Sequence, residues 1–144
     1  MFNRSFTVET TPVAKGRPKF RRIGNFVSTY SPKKTKDYET VIKDAATACM
    51  NGHEPLETPV WCLLTFCMPI PKAYSKKRTK DCLTGIEKHL KKPDADNLAK
   101  AALDSMNGIV YKDDAQIVVL RVEKKYSMVP CILITVSEDL SWWN

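Results

Sequence analysis

Val60-Trp61-Cys62-Leu63-Leu64-Thr65-Phe66-Cys67-Met68 is apolar at nearly every position. A strand alternates its side chains between two faces, so a run that is apolar on both fits a central, doubly covered strand. Pro69 and Pro71 end it. A sheet with this strand in its middle needs neighbours on either side and helices over at least one face. The 144 residues are enough for one such domain with a real core, covering 1–144.

The neighbours read as follows. Phe6-Thr7-Val8 begins a short strand that ends before Pro12. Residues 13–20 are loop-like, with Gly16 and Pro18 as breakers. Arg21 to Tyr30 predicts a hairpin turning at Gly24-Asn25. Ser31-Pro32 is a helix start, and Tyr38, Val41, Ile42, Ala45 and Cys49 recur at helical spacing up to a stop at Gly52. The acids Asp37, Glu39 and Asp44 on that segment read as solvated. Ser75 to Cys82 predicts a short helix, and the remainder up to Lys92, with Gly85, a mobile loop. Asp96 to Met106 is helical, with Leu98, Ala102 and Met106 on one stripe and Asn107-Gly108 as its end. Ile109 to Tyr111 is a brief strand or extended turn. Ile117 to Tyr126 alternates, with Val118, Leu120 and Val122 on one face. Cys131 to Val136 is expected as its antiparallel partner across a turn at Ser127 to Pro130. The fold class is α+β: a single domain with a mixed, largely antiparallel sheet and two main helices.

Charge narrows the function. The net charge is +7, and residues 1–36 hold nine Lys or Arg against Glu9 alone. Residues 72–92 hold eight basic side chains and two acids. Such a surface suits a polyanion, nucleic acid before an anionic membrane. Lys15, Arg17, Lys19, Lys76, Lys77, Arg78, Lys91 and Lys92 are the candidate phosphate-binding residues. Phe20, Phe26 and Tyr30 are interleaved with the first group; they read as core residues under a charged rim rather than as stacking platforms. The five cysteines form no CxxC pair, and with His53 and His89 they offer no zinc spacing. Most of them read as buried apolar residues in a reducing compartment. No signal peptide or membrane span is expected, and the expected location is the cytoplasm.

Against this basic background stands one acidic stretch, with Asp94, Asp96, Asp104, Asp113 and Asp114 in a short span. One acid ahead of a helix is explained by the positive helix end, and Asp113-Asp114 by a turn. Five crowded carboxylates repel one another unless a cation lies among them. Oxygen donors alone point to Mg²⁺, with Mn²⁺ as a substitute. Lys100, one helical turn after Asp96, is placed either to stabilise charge on a scissile phosphate or to pair with Asp96 or Asp104.

Lys92-Pro93-Asp94-Ala95-Asp96-Asn97-Leu98-Ala99-Lys100, followed by Ala102-Leu103-Asp104, Asn107-Gly108 and Tyr111-Lys112-Asp113-Asp114-Ala115-Gln116-Ile117, resembles the core of the RusA family. These are Holliday-junction-resolving endonucleases of bacteria and their phages. Residues 12–20 and 29–35 resemble the N-terminal part of phage-type members. The resemblance implies a Mg²⁺-dependent homodimer that places paired nicks across a four-way DNA junction, in recombination and repair. It implies catalytic roles for Asp94, Asp96, Lys100 and Asp114, metal ligation by Asp94, Asp96 and Asp114, and supporting positions for Asn97, Asp104 and Asp113. Ala95 replaces a bulkier apolar residue, and the basic loop before Pro93 is longer than in compact members. The alternatives are a broader flap or fork nuclease and a non-catalytic DNA-binding protein.

Overall fold

The computed structural model describes residues 1–15, 19–30 and 33–143, without the side chains of 19–21 and 28–30. The readings of Gly16 and Pro18 as breakers, of Arg17 as a phosphate-binding residue and of Ser31-Pro32 as a helix start lie outside the described residues. So do those of the Lys19, Phe20 and Tyr30 side chains.

The chain runs β1 (Asn3–Val8), β2 (Lys19–Ile23), β3 (Phe26–Tyr30), α1 (Lys33–Met50), β4 (Val60–Pro69), α2 (Lys76–Leu83), α3 (Ala95–Met106), a 3₁₀ turn (Asp114–Gln116), β5 (Ile117–Ser127) and β6 (Cys131–Ser137). Four strands form one mixed sheet in the order β1-β6-β4-β5, and β2 pairs with β3 as a separate hairpin. The apolar run is indeed a central strand: β4 lies between β6, antiparallel, and β5, parallel. Cys62, Leu64, Phe66 and Met68 of β4 are buried, as are Ile132, Ile134 and Val136 of β6. They share a core with Tyr38, Ile42, Ala46 and Met50 of α1 and Leu98, Ala102 and Met106 of α3. Phe66 is fully buried, so Phe66→Ala costs about 3–5 kcal/mol.

Several expectations are corrected. First, β6 does not pair with β5; it lies on the far side of β4. Crossing two strand spacings takes about 10 Å. The four residue steps from Ser127 to Cys131 reach about 13 Å. A short link is therefore compatible with either a hairpin or a hop over the end of β4, and β4 needs two partners. Second, Phe26 is not a core residue. It is 79% exposed, beside exposed Ile23 and Val27 at the hairpin tip. The turn itself is as expected, with Gly24 at positive φ. Third, the segment after α2 is held rather than loose. Glu87 N–H donates to the Asp81 carbonyl, Arg78 Nε donates to Glu87 at 2.8 Å, and Lys124 Nζ donates to the carbonyls of Lys91 and Pro93.

The buried stripe of α1 is Thr35, Tyr38, Ile42, Ala46 and Met50, with Val41 outside it. Its axis passes close to Glu39, which is why that acid is not solvated. The helix stops at Asn51 and Gly52, both at positive φ. Among the described residues no helix is long and apolar enough to cross a membrane.

Candidate active site

Helix α3 organises the site. Leu98, Ala101, Ala102, Ser105 and Met106 face the core. Asp96, Lys100 and Asp104 lie at four-residue intervals on another face, about 6 Å of rise apart. Lys100 Nζ reaches Asp104 Oδ2 at 3.7 Å, and Lys15 Nζ reaches the same oxygen at 3.6 Å. Of the two pairings open to Lys100, the structure selects Asp104.

Asp94 is the N-cap residue of α3, yet its side chain makes no capping hydrogen bond. It faces Lys92 instead, whose Nζ donates to both carboxylate oxygens at 2.7 and 2.8 Å. Helix capping therefore does not account for this acid. Asp96 and Asn97 are exposed on the first turn. The Asn97 carbonyl accepts from Lys15 N–H at 3.3 Å.

Asp114 comes from the other side. Its N–H donates to Asn107 Oδ1 at 3.0 Å, which ties the 3₁₀ turn to the end of α3. Asp113 caps that turn, and Gln116 closes it by accepting from Asp113 N–H. Gln116 Nε2 also donates to the carbonyls of Leu56 and Thr58 at 2.9 and 3.0 Å. Burial first, then a hydrogen bond and the charge of Asp113, then Asp104, push the Asp114 carboxyl above its usual range, with Lys100 pulling the other way. Immediately after the turn, β5 carries one extra residue at Val118 between its pairings with Val60 and Trp61, a bulge beside the site.

Lys15 is in the site but not as a free cation. Its Nζ is 2.6 Å from Glu39 Oε1 of α1. Burial opposes its charge, but Glu39 and Asp104 more than offset that and hold the ammonium above the ordinary lysine range. It joins the segment after β1 to α1 and α3. Arg78 is likewise engaged: it lies 3.6 Å over the Tyr74 ring, and its hydrogen bond to Glu87 holds that carboxylate below the usual range. Lys91 Nζ donates to the Tyr74 hydroxyl at 2.6 Å. Lys76 and Lys77 remain exposed, Lys77 only loosely near Asp81 at 3.9 Å.

The structure thus brings Asp104, Asp113, Asp114, Lys100 and Lys15 together along α3, which carries Asp94, Asp96 and Lys92 at its start. The donors are oxygen throughout, which fits a hard divalent cation. Among the described residues, no three acidic, histidine or cysteine side chains converge as a ready-made cage. Donor chemistry fits the ion, without a preformed cage among the described residues.

Four contributors carry little or no signal in the sequence. Glu39 is hidden because its partner is 24 positions away, although it borders the buried stripe of α1. Asn107 reads only as a helix end. Gln116 sits inside the motif without an evident role. Lys124 lies on the same face of β5 as Val122 and Tyr126, which aims it at Pro93.

A Bacillus subtilis (strain 168) protein, named only as uncharacterized protein YqaN, is 35% identical over 136 residues, covering 92% of this chain and 94% of that protein. The sequence pattern described as endodeoxyribonuclease RusA matches residues 9–137, from the end of β1 to the end of β6. The acid-bearing helix, the Asp113-Asp114 turn and three of the four strands of the main sheet lie within that match: the chain belongs to the RusA family of endodeoxyribonucleases.

Proposed function

We propose that the protein is a divalent-metal-dependent nuclease that resolves four-way DNA junctions by paired symmetric nicks, in recombination and repair. The observation that carries this is the crowding of Asp104, Asp113 and Asp114 beside Lys100, one turn along the helix from Asp96 and just after Asp94 begins it. Such repulsion is maintained where a cation or a substrate group relieves it. Asp94, Asp96 and Asp114 would hold Mg²⁺, or Mn²⁺ in its place, with Asn97, Asp104 and Asp113 in support. When bound, such an ion polarises a phosphoryl oxygen and lowers the pKa of a water molecule.

The remaining work falls to the chain. Asp94 leaves the first-turn amides of α3 without a side-chain partner, and a phosphate oxygen suits that end of the helix. Lys100 is largely exposed, and its 3.7 Å approach to Asp104 is loose enough to yield to a phosphate. Lys15, fixed by Glu39, keeps Asp104 oriented while Lys100 turns. Lys76, Lys77, Lys91 and Lys92 supply positive charge along the approach to Asp94, where DNA backbone binds through counterion release. One site cuts one strand, so resolving a junction takes two; a two-fold homodimer supplies them and matches the substrate's symmetry.

The test is a labelled four-way junction beside a linear duplex of equal length, in Mg²⁺, in Mn²⁺ and in excess EDTA. The reading requires paired nicks in the junction, little cutting of the duplex, and no cutting in EDTA. Undiminished cleavage in EDTA, or equal cutting of the two DNAs, refutes it. Sedimentation at the concentrations that resolve junctions tests the dimer; a monomer under those conditions refutes that part.

A further inference from the structure

Leu90 is 89% exposed, on a segment that leads directly into Asp94. Leucine is among the residue types most often fully buried, and single exposed leucines are common where the backbone is free. This backbone is not free. On one side, His89 is buried, with its ring edge-on to Tyr126 at a centroid separation of 5.0 Å. On the other, the Lys91 carbonyl accepts from Lys124 Nζ at 2.8 Å, and the Lys91 ammonium reaches the Tyr74 hydroxyl. Upstream, Glu87 is tied to Arg78 and to the Asp81 carbonyl. The loop thus holds Leu90 out into solvent, next to exposed Lys91 and Lys92 and one residue away from Lys88; Ile86, also exposed at 74%, lies four residues further from Asp94.

We propose that Leu90 is a wedge that packs against base faces uncovered at the branch point of the DNA substrate. This rests on the reading of the protein as a branched-DNA nuclease and names a residue that selects the branch. The surrounding lysines argue for a polyanionic occupant. A second copy of the chain would bring the same cations against each other, and an apolar protein partner would leave them without counter-charge. Within DNA, a continuous duplex offers phosphates and polar groove edges, and an apolar side chain enters only where a base step is opened. A branch point provides that opening without the cost of unstacking. Rigidity of the loop means little ordering is needed on binding. Four residue steps separate Leu90 from Asp94, a reach of at most about 14 Å. At about 3.4 Å per base step, the wedge places the cut within roughly four nucleotides of the branch.

The experiment uses the full chain, a four-way junction with 2-aminopurine at the branch point, and a linear duplex of the same length at the same salt. Leu90→Ala is expected to lose on the order of tenfold in junction affinity with duplex affinity unchanged. The rise in 2-aminopurine fluorescence on binding should shrink with it, and Leu90→Phe should restore both. An unchanged junction-to-duplex ratio, an equal loss on both DNAs, or a lower sedimenting mass for Leu90→Ala overturns the wedge; the last would make Leu90 a subunit contact. If the wild type neither prefers nor cuts the junction, the functional reading and the wedge fall together. If it does both and Leu90→Ala matches it, the wedge alone falls.

Discussion

Gln116→Ala should loosen the turn that carries Asp114 before it harms the rest of the fold. The Gln116 side chain accepts from Asp113 N–H and donates to two carbonyls, those of Leu56 and Thr58, across a gap of about sixty residues. The bond to Leu56 is partly buried and contributes about 1 kcal/mol; the two exposed bonds contribute roughly half that each. The substitution therefore costs about 2 kcal/mol. For a chain of this size that lowers the thermal midpoint by about 6 °C. Gln116→Glu should be no better, because a carboxylate cannot donate to either carbonyl and adds charge beside Asp113 and Asp114. Circular dichroism melting gives the stability, and single-turnover cleavage with protein in excess gives the consequence for Asp114. Cleavage should fall about tenfold at saturation while junction affinity holds. A Gln116→Ala protein melting within about 1 °C of wild type and cleaving at full rate refutes the assigned role.

Three further outcomes are expected. Lys100→Ala should lower the saturated cleavage rate on the order of 10²-fold with junction affinity nearly unchanged; a loss of affinity at constant saturated rate would make Lys100 a DNA-holding residue only. Replacing Lys76 and Lys77 by Ala should weaken binding and flatten the salt dependence by about one unit of slope for each phosphate no longer neutralised, leaving the saturated rate intact, as gel shifts across a salt series will read. His89 gives the pH dependence of stability. Burial, with Lys124 and Lys91, holds its ring below the ordinary imidazole pKa of 6.5. The unfolded chain then takes up a proton that the fold refuses, so stability falls as pH drops below about 6.5 and the loss is complete only below the depressed native value. Urea midpoints between pH 7.5 and 5.5 should decline for wild type and flatten for His89→Gln; parallel profiles contradict the assignment.

What the sequence disclosed and what it concealed follow one physical line. Local signals were legible. The stripe of Leu98, Ala102 and Met106 gave α3 to within a residue, Ser75 accepts from Arg78 N–H as the cap of α2, and Gly24-Asn25 is the hairpin turn. The two-faced apolar run marked β4 as central. Pairing at a distance was not legible. Alternation in β5 says which residues share a face, never which strand lies beside them, and the short link to β6 fits either topology. The acids of the candidate site stand out because they are concentrated in one stretch. Glu39, which fixes Lys15, and Glu87, which engages Arg78, were invisible as partners, because charge composition does not reveal which cations are already paired. Phe26 shows the converse: an aromatic in a basic segment reads as core until the hairpin is seen standing apart from the main sheet.

The central claim is that the aspartates act in chemistry rather than in binding or folding. Asp94→Asn, Asp96→Asn and Asp114→Asn preserve shape and remove one negative charge each. Junction affinity by gel shift and single-turnover cleavage at saturating protein in Mg²⁺ should be measured on the same preparations. The account predicts affinity equal to or tighter than wild type, because repulsion from the DNA backbone is relieved, with cleavage lower by orders of magnitude for all three. A variant that cleaves at close to the wild-type rate would show its aspartate to be a helix-end or turn residue and contradict the site as described.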